Sequence, residues 1–412
     1  MKSLRVSRLV CLLISLLCEQ VQLRAETKSS EDLCAVSSSA LGSASDIRGL
    51  AVKKSVPCVT QDKTQVREFL EETIRTELPP EKMEMEQLAY RAIGMIPDDY
   101  EYGKNLVRLL VSELGGYYDP KAGRFVMAAW LPASVQETVA VHELTHALQD
   151  QHFNLRKFID ARSDNGDKSL AYSAVIEGDA TAVMLDNDRR LKGMQKIASD
   201  QNIESTILVQ ILGMNIGGSE GEVPPSLKAM LIFPYTSGLR FAHTMLRSKG
   251  YAGLDSIYQR PPQSTREILH PEDYLSGSFI PEIPTDAELG AIDEQPIANR
   301  RVEYADTIGE FGIAGLLSNS TTQNETRTRA STGWKGDRLV VYSPSDDQRI
   351  VRWLSRWESE QDAQEFHAAY SSFLQERYKT EIGVSEVRLS TTKRVEMGIK
   401  GRDVLIQFRI MS

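Results

Sequence analysis

The stretch VHELTHALQDQH, residues 141–152, is the segment around which the rest of the fold must be arranged, because it places three histidines and a glutamate in a chain with only 6 His among 412 residues. On a helix, His142 and His146 lie one turn apart and project from the same face, with Glu143 beside them, so both imidazoles can reach one metal ion. The alternative is two histidines that are solvated on a helix surface or hydrogen-bonded within a core. We expect a metal-binding helix.

The identity of the third ligand is the next question, because a catalytic zinc site uses three protein ligands and keeps an open position for water. His152 has the offset of the metzincin pattern HExxHxxGxxH, but this chain has Gln149 where that pattern needs a glycine to turn the backbone. On a continuous helix His152 would lie about 9 Å along the axis from His146 and about 120° around it. We therefore expect His152 at the helix end or behind the ligands, and not on the ion.

Glu177 is the stronger candidate for the third ligand. If this segment is a helix, one of its faces is formed by Leu170, Ala174, Glu177, Thr181 and Met184. Glu177 is the only charged residue on that face. A carboxylate on an inward face is unfavourable unless it is paired or binds a metal. The small residue Gly178 predicts a close approach to the histidine helix, as do Ala180 and Ala182. The alternative is a glutamate buried against an arginine or exposed on a frayed helix.

Two segments together, HELTHALQDQHF at 142–153 and IEGDAT at 176–181, resemble the gluzincin branch of zinc metallopeptidases. They are most similar to a group of uncharacterised exported bacterial proteins, which RPPQSTREILHPEDY and GWKGDR also resemble. The similarity covers patches of residues 100–340. It implies one Zn²⁺ per chain on His142, His146 and Glu177, with Glu143 as general base. The chain departs from the thermolysin pattern in its spacing and in Thr181, which stands where those enzymes have an aspartate.

Peptide hydrolysis by such a site would need supporting groups. Zinc-bound imidazoles usually donate their second N–H to an acceptor, and we expect Asp150 or Asp179 in that role. Tyr235 and His270 are candidates to stabilise the oxyanion, each from a segment rich in Pro or Gly. Ordinary packing is the alternative for both. A peptide or protein substrate would pair as an added strand with the edge supplied by residues 124–127.

The N-terminus predicts export to the periplasm or the exterior. Basic residues precede an apolar run at 9–18 and a small residue, Ala25, so residues 1–25 have the layout of a signal peptide. An uncleaved anchor is the alternative, but ten apolar residues fall short of the roughly 20 that span a bilayer. The net charge of −9 becomes more negative after cleavage, which argues against a nucleic-acid partner. The oligomeric state stays open.

Cys34 and Cys58 are the cysteines left after signal cleavage. In an oxidising compartment we expect them to pair, which would stabilise the fold by roughly 3 kcal/mol. Two free thiols are the alternative. Residues 26–60 are rich in Ser, Ala and Gly and have no long apolar period, so we interpret them as a tether or an inhibitory pro-segment.

Overall, the sequence predicts an α+β fold. Residues 61–300 are expected to form a mainly helical, zincin-like catalytic domain with a β-hairpin before the HExxH helix. Residues 301–412 are expected to form a small C-terminal α+β module with the order strand-strand-helix-strand-strand. The predicted function is an exported zinc metallopeptidase. Two rivals are a non-catalytic zinc-binding or interaction module of the cell envelope and a zinc hydrolase of non-peptide amides.

Overall fold

A computed structural model describes residues 33–77, 79–158, 164–213, 223–290, 302–345, 347–383 and 386–411. The expected signal peptide at 1–25 lies outside the described residues. Helices and two β-sheets make up the described chain, so the fold is α+β as predicted. No helix among the described residues is long and apolar enough to cross a membrane.

The first part of the chain carries the small sheet and the histidine helix. In order, its elements are α1 (Ser37–Arg48), β1 (Cys58–Gln61), α2 (Lys63–Glu77), α3 (Pro80–Ile93), α4 (Tyr102–Glu113), β2 (Gly116–Asp119), β3 (Arg124–Ala128) and α5 (Ala133–Phe153). Helical patterns in the sequence at 64–78, 81–96 and 100–114 predict three helices, which are α2, α3 and α4. Helix α3 begins with prolines and ends at Gly94, which takes the left-handed conformation that favours glycine.

The remaining helices of the central part are α6 (Gly166–Leu191), α7 (Glu204–Gly213), α8 (Pro225–Lys249), α9 (Tyr251–Gln259), α10 (Thr265–Leu269), α11 (Pro271–Ser276) and α12 (Asp286–Gly290). Helices α6 and α8 pack closely because two glycines meet between them: a Cβ on Gly178 would lie 2.2 Å from the carbonyl oxygen of Gly238. Gly178 therefore faces α8 and not the histidine helix, which corrects the expectation for that residue.

The small sheet has the order β1-β3-β2, with β1 parallel and β2 antiparallel to β3. Strands β2 and β3 form the expected hairpin, whose turn contains Gly123 at φ +64°. Strand β3 is the central strand, paired on both sides. Residues 124–127 therefore do not form the edge that we expected for substrate pairing, because β1, which lies far earlier in the chain, pairs with β3 on that side.

The N-terminal segment is not a loose tether. Helix α1 buries Ala40, Ala44 and Ile47 in one apolar cluster with residues of the histidine helix α5. The expected disulfide between Cys34 and Cys58 is present, and it joins the residues before α1 to strand β1. The sequence shows no clear sign of this helix because the small residues Ser37, Ala40 and Ala44 supply most of its buried face, so no strong apolar period marks it.

The C-terminal part begins after residue 301. Its elements are β4 (Val302–Asp306), α13 (Gly309–Leu317), α14 (Asn324–Ser331), β5 (Trp334–Ser345), β6 (Gln348–Trp357), α15 (Glu360–Tyr378), β7 (Val387–Arg388), β8 (Lys393–Lys400) and β9 (Asp403–Met411). The sheet has the order β4-β5-β6-β9-β8-β7, with antiparallel neighbours. The expected strand-strand-helix-strand-strand order is β5-β6-α15-β8-β9, to which β4, β7 and two helices are added.

This sheet shares its core with the helical part. One apolar cluster contains residues of α2, α3 and α4 together with residues of β5, β6 and α15. The hydroxyl of Tyr370 donates to the carbonyl oxygen of Ile93 at 2.8 Å, which ties α15 to α3. The C-terminal module therefore packs as a continuation of the helical part.

Candidate metal centre

Helices α5 and α6 carry the candidate ligands. His142 and His146 are one turn apart on α5, and Glu177 lies in the middle of α6. The three residues are only 3%, 8% and 2% exposed, respectively. Their side chains are thus withdrawn from water and face one another between the two helices.

The ligand atoms of these side chains converge on one point. His142 Nε2 lies 3.1 Å from Glu177 Oε2 and 3.1 Å from His146 Nε2, and His146 Nε2 lies 3.5 Å from Glu177 Oε2. All three atoms lie within 4.8 Å of one another, and this buried group can hold a metal ion. Two imidazoles and a carboxylate are a donor set that suits a transition-metal ion.

Gln149 fixes the orientation of the His146 ring. Its amide nitrogen donates to the carbonyl oxygen of Ile176 at 3.1 Å, so its amide oxygen faces His146. That oxygen lies 2.8 Å from His146 Nδ1 and can only accept, which makes Nδ1 the donor. In the neutral ring, Nε2 therefore keeps a lone pair that points at the site, as a metal ligand requires.

The charges of the site favour a cation. Burial acts to lower the pKa of His146, but the charge of Glu177 and the hydrogen bond to it raise this pKa to about 9. Burial acts to raise the pKa of Glu177, yet His146 and the hydrogen bond from His142 hold it below its usual range. Without a metal, an imidazolium and a carboxylate pair at neutral pH, and a metal ion would replace that proton.

Glu143 lies beside the ligands and is only 2% exposed. Its Oε2 accepts a hydrogen bond from the backbone N–H of Tyr118 in strand β2 at 2.8 Å. Burial raises the pKa of Glu143, against the effect of the neighbouring histidines. The carboxyl group is thus held in one orientation next to the candidate ligands, with a raised affinity for a proton.

Two of the expected supporting residues take other roles. Asp150 accepts from the Tyr118 hydroxyl at 3.0 Å and from the Leu155 backbone N–H, so it joins the end of α5 to β2. Asp179 accepts from Arg48 at 2.7 Å and from the Tyr258 hydroxyl at 2.9 Å. Neither carboxylate hydrogen-bonds to a candidate ligand in the part of the chain that the structure describes. Gln149 supports His146 instead.

The two residues expected to stabilise the oxyanion, Tyr235 and His270, belong to different clusters. Tyr235 on α8 is buried, and its ring centroid lies 6.4 Å from that of His142, which brings it to the metal centre. His270 belongs to another cluster, where its Nε2 lies 2.7 Å from Glu310 Oε1. No hydrogen bond or ion pair among the described residues joins His270 to the candidate ligands, so the structure gives the oxyanion role of His270 no support.

His152 points away from the site. Its Nε2 lies 2.8 Å from the carbonyl oxygen of Ala51, in the connection that follows α1. Helix α5 continues through Phe153 and ends at Asn154, with no turn at Gln149. His152 is therefore a helix-end residue that binds the N-terminal segment.

Sequence reasoning missed Gln149 and Tyr118. Gln149 stands three residues after His146, a spacing that brings two side chains together on a helix, so this signal was available. The contact with Tyr118 is made by its backbone N–H, which every residue except proline has, so the residue type does not predict this contact. It depends on how the hairpin lies across α5.

Comparison with known proteins finds a match only in the C-terminal part of the chain. A family model described as "Domain of unknown function (DUF8575)" matches residues 299–408. No curated protein and no solved structure matches the chain. The family match lies in the predicted C-terminal module, outside the segments that carry His142, His146 and Glu177.

Proposed function

We propose that the protein is an exported zinc-dependent metallopeptidase whose zincin-like catalytic part is built from the small sheet, α5 and α6. The observation that carries this proposal is the convergence of His142, His146 and Glu177 with a fourth group, Glu143, that is buried beside them and is not needed as a ligand. Metal binding alone does not require a second buried carboxylate. A hydrolytic site does require a base next to the metal.

Zinc fits the residues present. Ligand atoms held about 2.0–2.1 Å from a tetrahedral zinc ion lie about 3.4 Å apart. The corresponding separations here are 3.1, 3.1 and 3.5 Å. Two imidazoles and one glutamate are also the ligand set of catalytic zinc in thermolysin and carboxypeptidase A. The resemblance of the two motif segments to gluzincins supports the same ion.

A bound zinc would supply a Lewis acid that polarises a water and the scissile carbonyl group. Glu143 would accept the proton of the attacking water and then transfer it to the leaving amine. Burial raises the pKa of Glu143 in the metal-free site, and the Tyr118 N–H holds its carboxyl group in place. Tyr235, near His142, is the remaining candidate to stabilise the oxyanion.

The edge of strand β2 is the surface on which a peptide substrate would pair. Strand β2 lies at the edge of its sheet, and a peptide there would pair with its other main-chain groups, because the Tyr118 N–H already donates to Glu143. A peptide added at an edge strand gains main-chain hydrogen bonds. This edge replaces residues 124–127, which lie in the central strand.

Export is supported by the disulfide between Cys34 and Cys58, since such bonds persist in oxidising compartments. The leader-like residues 1–25 support the same proposal. The two features together support our proposal of a periplasmic or extracellular location.

Two other functions remain as alternatives. A non-catalytic metal-binding or interaction module would keep the three ligands but would gain nothing from Glu143. A hydrolase of non-peptide amides, such as a cell-wall amide, would use the same metal and the same base. The pairing edge of β2 favours a peptide over such an amide.

The test compares the mature protein with Glu143→Gln on a panel of peptides and cell-wall fragments. We expect Glu143→Gln to keep about one zinc per chain and to lose roughly 10²–10⁴-fold in peptide hydrolysis, the range that general base catalysis contributes. Hydrolysis of wall fragments alone would favour the second alternative. Equal peptide hydrolysis by both proteins would overturn the role of Glu143, and zinc binding without any hydrolysis would favour the non-catalytic module.

A further inference from the structure

Arg48, at the end of α1, is a buried cation between four helices. Its side chain is 1% exposed, and its Nε donates to Asp179 Oδ1 at 2.7 Å. Its Nη2 donates to Asp255 Oδ1 on α9, also at 2.7 Å. The guanidinium lies 5.9 Å from the ring centroid of Phe153 at the end of α5 and 5.4 Å from that of Tyr251. One side chain thus contacts both helices that carry the candidate ligands.

Asp179 connects this cation to the metal centre. It lies two residues after Glu177 on the same helix, and its side chain is also 1% exposed. Its second oxygen accepts from the Tyr258 hydroxyl at 2.9 Å. A buried carboxylate is tolerated only when it is paired and hydrogen-bonded. Loss of Arg48 would leave Asp179 without its cation inside the protein, and the adjacent turn that carries Glu177 would have to shift.

Residues 33–61 enclose the outer side of the histidine helix, and we name them the N-terminal strap. Helix α1 packs its apolar residues against α5. The following connection binds the end of α5: the carbonyl oxygen of Ala51 lies 2.8 Å from His152 Nε2, and the amide of Gln151 bonds the backbone of Lys53 and Lys54. Strand β1 then pairs with β3, and the disulfide closes the strap.

The strap does not behave as an inhibitory segment would. An inhibitory segment occupies the site or supplies a ligand there. Among the described residues, no hydrogen bond or ion pair joins the strap to His142, His146, Glu177 or Glu143. Its polar contacts instead reach the residues behind the ligands, Asp179 on α6 and His152 on α5.

We infer that the N-terminal strap remains part of the working protein and that Arg48 is a positioning residue, which holds Glu177 in place for the metal through Asp179. This inference rests on metal binding at the proposed centre and not on peptide hydrolysis. The disulfide gives the strap a second attachment. A strap cut between α1 and β1 stays bound through Cys34 and Cys58.

The first test is titration of the metal-free protein with Co²⁺, followed by its visible spectrum. Arg48→Met is expected to bind Co²⁺ about 5- to 10-fold more weakly, at or below the low end of the effect of losing a direct partner of a ligand, because Arg48 acts on Glu177 only through Asp179. Its ligand-field bands should change as well. Arg48→Lys, which keeps the charge, should recover part of the affinity, and so should Arg48→Met with Asp179→Asn, which removes both charges.

The matched control is Arg356→Met. Arg356 also pairs with two carboxylates, Asp403 and Glu288, but it lies in the C-terminal sheet. The Arg356→Met variant should keep the cobalt affinity and the visible spectrum of the wild type. A simple loss of stability would affect both arginine variants, whereas the positioning role predicts a spectral change in Arg48→Met alone.

The second test needs no variant at Arg48. A site for a specific protease is inserted at residues 52–56, and the folded protein is cut there. The cut protein should bind Co²⁺ like the uncut protein until the disulfide is reduced, which frees α1 and should weaken binding at least tenfold. Reduced, uncut protein is the control.

Cobalt affinity within twofold of the wild type, both in Arg48→Met and after release of α1, would overturn the inference and leave the metal centre intact. A wild-type protein that binds no Co²⁺ would overturn the metal centre itself and the inference with it. If Arg48→Met does not fold, the cut protein decides between these outcomes.

Discussion

Two buried carboxylates, Glu177 and Asp337, have opposite surroundings. Asp337 lies where β5 meets the start of α13, and four N–H groups donate to it: the backbones of Ile308 and Gly309 and the indoles of Trp334 and Trp353. Glu177 Oε2 faces two imidazole nitrogens, which are themselves potential metal ligands. The first carboxylate is satisfied by donors that the fold supplies. The second is arranged for a cation.

The electrostatics follow the same division. Burial raises the pKa of Asp337 in spite of the four N–H groups that donate to it. Glu177 is as deeply buried, yet its pKa is lowered because His146 carries a positive charge when no metal is present. Burial alone therefore does not identify a functional carboxylate. The nature of its neighbours does.

The largest effect is expected from Glu177→Gln. The amide keeps the shape of the side chain but loses the charge and the anionic ligand, so metal affinity should fall by about 1,000-fold or more, or about 4 kcal/mol. Competition with a chelator of known affinity measures this change. An affinity within tenfold of the wild type would show that Glu177 is not a metal ligand. The contrast between Glu177 and Asp337 would then no longer hold.

Asp337→Asn should give the opposite result. The new amide group would face two N–H donors, and at roughly 1–3 kcal/mol for each unsatisfied buried donor we expect a loss of about 3 kcal/mol in the free energy of unfolding. Metal stoichiometry should stay at one per chain. Denaturant unfolding of the metal-free protein measures the first quantity. A stable variant that has lost its metal would reverse the roles of the two carboxylates.

Metal affinity should depend on pH through His146, whose pKa is raised to about 9 in the metal-free protein. Below that pH a metal must displace one proton, so the apparent affinity should fall about tenfold for each unit of decreasing pH and become constant above about pH 9. The raised pKa of His146 also contributes to the stability of the metal-free fold. This contribution is fully present below pH 6.5 and is lost as the pH rises through 9.

Calorimetric titration in buffers of different protonation enthalpy measures the protons released. One proton per metal at pH 7 agrees with this account. Zero protons released, with an affinity that does not change between pH 6.5 and 8.5, would mean that the imidazole of His146 is already free of its proton.

The smallest effect is expected behind the ligands. Gln149→Ala removes the acceptor that orients His146, which should weaken metal binding about tenfold. His152→Ala, on the same helix but bonded to the N-terminal strap, is the matched control and should change the affinity by less than about twofold. If His152→Ala weakens binding more than Gln149→Ala does, the orientation that we assign to His146 is wrong.

The sequence predicted the α+β class, the hairpin and the two helices that carry the candidate ligands because these depend on local patterns. The spacing of His142 and His146 and the stripe around Glu177 are properties of single helices. The disulfide followed from the expected compartment and the cysteine count. Such features can be inferred before any tertiary contact is known.

The errors concern contacts between elements distant in sequence. Strand β1 pairs with β3 across a long connection, and no local pattern reveals that pairing or the resulting edge at β2. Arg48 reaches Asp179 across 131 residues, so α1 could not be recognised as part of the fold. His270 was chosen for its chemistry, but its side chain contacts Glu310, on a helix 40 residues further along the chain.

The central claim is that His142, His146 and Glu177 hold one zinc ion, and X-ray absorption at the zinc edge tests it most directly. For the zinc-loaded mature protein we predict four nitrogen or oxygen neighbours at about 2.0–2.1 Å, two of them imidazoles, without sulfur. His152→Ala should give the same spectrum. A first shell with fewer than two imidazoles, or a spectrum that changes in His152→Ala, would contradict the account.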